Sequence, residues 1–174
     1  DSVIPEGGFT NVNDPPTIEN NTLEIAEAGS VTFSSAQLSA SDPDSVLSQL
    51  RFSFSEVEGG TFFLSGTELA AGETFAGAAI AFGELEFVDD GDDIAPAYSV
   101  TVSDGIDTVS DTATIIFTPV NDAPEIITNS FTITEGRRLT LNDPAFPDSP
   151  NLVATDSETP DDLVFEVSDV QNGE

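Results

Sequence analysis

The chain has 174 residues, with 33 acidic side chains against 3 basic ones and a formal net charge of −30. That balance excludes nucleic-acid binding, whose counterion-release driving force needs clustered Lys and Arg. The absence of Cys and His removes structural zinc, thiol nucleophiles and Ser-His-Asp relays. Self-repulsion at this charge calls for an offset, either bound divalent cations or a saline medium, and both point outside the cell. Without disulfides, stability there must come from cores and ions. A disordered acidic polymer is the plain alternative, but hydrophobic residues make up 38% and 13 are Phe, which supplies core material. No run of about 18 apolar residues occurs, so membrane insertion is not expected. The N-terminus has no basic and apolar signal regions, as expected of a piece from inside a longer chain.

Taken in chain order, the apolar pattern has a period of two. An acidic linker ending in Asn13-Asp14-Pro15-Pro16 precedes the alternating Leu23 and Ile25. A turn at Ala28-Gly29 leads to Val31 and Phe33, and then to Phe52 and Phe54. Gly59-Gly60 and Ser65-Gly66 read as turns, and the Ala-rich stretch Leu69–Phe82 is expected to hold one short helical turn. Leu85 and Phe87 follow, then Asp90-Gly91, then Tyr98, Val100 and Val102. After Asp104-Gly105 come Ala113, Ile115 and Phe117. Alternation buries one face of each strand, and several short strands in about 100 residues predict an all-β, antiparallel Greek-key β-sandwich.

The sequence also repeats. Phe9-Thr10-Asn11-Val12-Asn13-Asp14-Pro15-Pro16 recurs as Phe117-Thr118-Pro119-Val120-Asn121-Asp122-Ala123-Pro124, at an offset of 122 − 14 = 108. Leu38–Asp44 returns as Leu152–Glu158 at 156 − 42 = 114, which places six extra residues in the Pro-rich stretch 142–150. The expected organisation is the tail of one repeat and a linker over 1–14, a complete repeat over 15–122, and the first half of another over 123–174.

The candidate ligands cluster at strand ends and in the linkers. Calcium takes six to eight oxygens from carboxylates, carbonyls and amides in irregular geometry. The linkers offer Asn13 with Asp14 and Asn121 with Asp122. The loops before Phe52 and its counterpart offer Asp42 with Asp44 and Asp156 with Glu158. Glu27 and Glu135 follow their linkers by the same 13 residues, and Asp104 precedes a glycine turn. Asn-Asp-x-Pro also makes a tight turn by itself, and Asp89–Asp93 reads equally well as a solvated loop. The Asp42/Asp44 pair and its repeat favour a cation, since two acids two residues apart repel.

Tyr98–Gly105, Thr112–Phe117 and Val120-Asn121-Asp122-Ala123-Pro124 together resemble a cadherin-like repeat, of the chondroitin-sulfate-proteoglycan type found in giant bacterial surface adhesins. Phe75 and Gly83–Gly91 fit its middle. The resemblance implies calcium between successive repeats. Asn13, Asp14, Asp42, Asp44 and Asp104 would serve one junction, Glu27, Asn121, Asp122, Asp156 and Glu158 the next, and Glu135 a third. The chain departs from the family pattern at Asn11, Pro119, Pro15 and Ala123, and lacks its Asp-Arg-Glu motif, so one or two ions per junction are expected rather than three. Asp89, Asp90, Asp92 and Asp93 stand in for that motif only approximately. The implied function is an extracellular structural and adhesive module with neighbouring repeats as partners. A calcium-dependent polysaccharide-binding or self-binding (homophilic) module is the alternative. An enzyme is not expected, since the acids lie in exposed loops without a catalytic signature. Asp-Pro bonds at 14–15, 42–43 and 143–144 occur where turns already want Pro.

Overall fold

The computed structural model describes residues 12–137, 152–156 and 163–166. The chain divides into two compact units, Asp1–Val120 and Asn121–Glu174.

In the first unit the order is β1 (Thr17–Ala26), β2 (Ser30–Thr32), β3 (Leu38–Ser41), β4 (Arg51–Glu58), β5 (Gly60–Leu64), β6 (Thr67–Glu68), β7 (Phe75–Ala76), α1 (Ala78–Ala81), β8 (Leu85–Asp89), β9 (Ala97–Ser103), β10 (Thr108–Thr112) and β11 (Thr114–Thr118). Two four-stranded sheets, β10-β9-β4-β7 and β2-β8-β5-β6, contribute the core, and β1 lies between β11 and β3 in a third. The fold is the all-β Greek-key sandwich that the alternation predicts. One pairing differs from a purely antiparallel scheme: the second half of β1 runs parallel to β11, from Thr22↔Thr114 to Ala26↔Thr118. The predicted helical turn falls on α1.

The alternating residues meet between the sheets. Leu23, Phe33, Phe52, Leu85, Phe87, Val100 and Val102 are fully buried. Phe54 of β4 stacks on Phe62 of β5 with ring centroids 3.7 Å apart, and Tyr98 of β9 meets both edge-on at 5.5 and 5.0 Å. Such packing of aromatic edges against faces adds to the burial of large apolar area.

Strand β5 was hidden in the sequence, because Phe62, Phe63 and Leu64 form an unbroken apolar run without alternation. Gly60, read as part of a turn, opens that strand instead. Its φ of 156° and the approach of neighbours explain the glycine: a Cβ there would strike the Phe87 ring and lie 2.5 Å from the Val88 carbonyl oxygen.

The second unit contains, among its described residues, β12 (Glu125–Thr128) and β13 (Val153–Thr155) in an antiparallel ladder. Its register repeats that of β1 with β3. Thr17↔Ser41 and Ile18↔Ala40 correspond to Glu125↔Thr155 and Ile126↔Ala154, and both ladders carry a bulge one step further on. The differences, 125 − 17 = 108 and 155 − 41 = 114, equal the two sequence offsets. The Pro-rich stretch 142–150 and Glu158 lie outside the described residues.

Candidate functional site

Strand β1 spans ten residues, roughly 33 Å of extended chain, and carries the backbone from one end of the sandwich to the other. Each end gathers acidic residues because strand ends and turns are where Asp and Asn can bond backbone N–H groups.

At the end where the chain enters, three loops converge. Beyond β3, Asp42 Oδ1 accepts the backbone N–H groups of Asp44 at 2.7 Å and Ser45 at 2.6 Å, folding the Asp42-Pro43-Asp44 loop back on itself. Beyond β9, Asp104 Oδ1 accepts those of Ile106 and Asp107, both at 2.7 Å. The linker then lies against both loops. Asn13 Nδ2 donates to Asp104 Oδ2 at 2.8 Å and to Asp107 Oδ2 at 2.9 Å, and the Asp14 N–H donates to Asp44 Oδ2 at 2.8 Å. The Asn13 amide, with the two backbone donors behind it, holds the Asp104 carboxyl below its ordinary pKa.

The linker thus bonds two loops separately, Asn13 to Asp104 and Asp107, and Asp14 to Asp44, which Asp42 supports. Asp107 was missed because nothing in its local sequence marks it; only the turn after β9 brings it to Asn13. The second oxygen of Asp42 is buried and has no hydrogen-bond partner among the described residues.

At the other end, Glu27 follows β1 and is only 8% exposed. Its N–H donates to the Thr118 carbonyl at 3.0 Å, and its Oε2 accepts the Val120 N–H at 2.7 Å, tying the departing chain to the sandwich. Beside it, Asp89 ends β8 at 5% exposure. Its Oδ1 accepts the N–H groups of Ala28 at 2.8 Å and Gly91 at 3.0 Å, while its Oδ2 is buried without a partner. Asp89 is thus not part of a solvated loop, unlike Asp90, Asp92 and Asp93, which are exposed. The signal was available: Asp89 keeps the alternation of Leu85 and Phe87, which turns it inward.

In the second unit, Asn121 Nδ2 donates to the Asp122 carbonyl at 2.7 Å. Asp156 is half-buried at the end of β13, and Glu135 is exposed.

The donor set is chemically suited to a hard cation: carboxylate, amide and carbonyl oxygens, with one orphaned buried carboxylate oxygen at each end. Among the described residues, no three acidic side chains are gathered close enough to form a metal cluster without rearrangement. No helix among them is long and apolar enough to cross a membrane.

The fold is a β-sandwich module with acidic residues gathered at both ends of its longest strand. The chain belongs to the cadherin-like family, whose model matches residues 15–118. Cadherin-like domains form a non-enzymatic family that is typically extracellular, commonly mediates protein–protein contacts and generally binds calcium. No curated protein matches the chain. A solved structure similar to it is the crystal structure of the titin domains z1z2 in complex with telethonin, at 13% identity and a TM-score of 0.32. The match covers 68% of this chain and 55% of that one.

Proposed function

We propose that this cadherin-like sandwich is a calcium-binding structural and adhesive repeat of a large extracellular bacterial surface protein, in which ions stiffen the junctions between neighbouring repeats. The observation that carries the reading is the pair of orphaned oxygens, Asp42 Oδ2 and Asp89 Oδ2, one at each end of β1. A buried carboxylate oxygen without a partner is destabilising by about 1–3 kcal/mol or more, and a cation removes that cost at once.

At the entry end the ligands would be Asp14, Asp42, Asp44 and Asp104 with the side-chain amide oxygen of Asn13. At the exit end Glu27 and Asp89 would act, with Asn121, Asp122, Asp156 and Glu158 supplied by the next repeat and its linker. Glu135 would serve the junction after that. The repeated ladder register, bulge included, supports a second copy of the same module in the chain. Sugar binding by stacking has little support, since tryptophan is absent, the sole tyrosine, Tyr98, is buried, and most of the described phenylalanines lie in the core.

The test is calorimetric titration of chelator-stripped protein with calcium, beside the Asp42→Ala and Asp89→Ala variants. Saturable heats in the parent and weakened binding in each variant support the reading. Heats that are absent, or unchanged by both substitutions, remove it.

A further inference from the structure

We propose that Asn13 is an amide latch that keeps the linker docked on the entry end of the sandwich when no cation is bound. Asp104 and Asp107 point a carboxylate oxygen each toward the same nitrogen, Asn13 Nδ2, at 2.8 and 2.9 Å. Two carboxylates converging this closely repel each other, and an NH₂ group with its two hydrogens is the neutral side-chain group that satisfies both at once. It stands where a cation would otherwise be needed. Hydrogen bonds to charged acceptors are the stronger class, worth roughly twice a neutral pair. A third bond, from the Asp14 N–H to Asp44 at 2.8 Å, fixes the next residue of the linker to the other loop. The linker is thereby held at two points on two loops that are 60 residues apart in sequence (104 − 44).

Asn13 also makes a local contact, to the Asp14 carbonyl at 3.3 Å, but its shorter bonds go to the sandwich. The same amide carries the oxygen that the calcium reading uses, so a cation would turn the group around rather than recruit a loose linker.

The latch belongs to the end read above as calcium-binding, and its test is run in EDTA, so that it stands or falls apart from that reading. Hydrogen exchange of the Asp14 amide, followed by NMR in the intact protein, is compared with an unstructured peptide of the same sequence. The latch predicts protection of about tenfold or more in the parent. Asn13→Asp keeps the size, removes both donors and adds a third repelling charge, and should bring exchange back to the peptide rate. Asp107→Asn, at an exposed position where folding is not at stake, should lose part of the protection. Peptide-like exchange in the parent, or protection unchanged in Asn13→Asp, would overturn it.

Discussion

Tyr98 shows how single residues can sit against the general pattern. Its ring is enclosed by Phe33, Phe54, Phe62 and Phe87, and its hydroxyl is buried without a partner among the described residues. Burial alone pushes the phenol above its ordinary value of 10.0. The folded state therefore favours the protonated phenol, so its contribution is intact below pH 10 and is lost as pH rises beyond it, where only the unfolded chain ionises freely. Tyr98→Phe deletes the unpaired hydroxyl while keeping the ring. The variant should be more stable by about 1 kcal/mol, seen as a higher urea midpoint. It should also flatten the fall in stability above pH 10.

Much of the candidate site was legible at this scale, because Asp42 and Asp44 recur as Asp156 and Glu158 behind a repeated Asn-Asp linker, and Asp104 precedes a glycine turn. What stayed hidden depended on contacts across the fold. Asp107 acquires its role only through the turn that follows β9, and the burial of Asp89 follows from a strand phase that competed with an acidic run for interpretation.

Among the elements, β4 and β9 form the best-buried ladder. Phe52 and Phe54 pair with Val102 and Val100, and all four are at most 2% exposed. The ladder of β12 with β13 has three paired positions, and Ile126 is 59% exposed. Two short strands are marginal on their own. Native-state hydrogen exchange should therefore find Phe54 and Val100 opening only with global unfolding, and Ile126 exchanging orders of magnitude faster. Comparable protection at both ladders would contradict this ranking. Alternation announced β1, β2, β4, β8, β9 and β11, which turn one set of side chains inward. The strands it missed are apolar throughout like β5, mostly polar like β10, or too short to show a period like β3, β6 and β7. The parallel pairing of β1 with β11 was not legible either, since alternation fixes faces and leaves strand direction open.

For the whole molecule the dominant fact is a net charge of −30 on a fold that buries orphaned carboxylate oxygens at its ends. Salt alone screens the first but leaves the second unanswered, because the two oxygens are out of reach of solvent. On the proposed reading calcium would answer both. Extracellular calcium modules bind at roughly 10⁻⁴ to 10⁻³ M, and magnesium, which dehydrates reluctantly, suits a multi-carboxylate end less well. The most direct measurement is the thermal unfolding midpoint of chelator-stripped protein at constant ionic strength, with calcium, magnesium or sodium supplied in turn. At a calcium concentration ten times the dissociation constant, each occupied site adds about 1.4 kcal/mol, a shift of roughly 5 °C or more. The account predicts that rise with calcium, a smaller one with magnesium, and its reduction in Asp42→Ala. Equal stabilisation by all three cations would contradict it, and would make the acidity a matter of surface charge without a dedicated ion site.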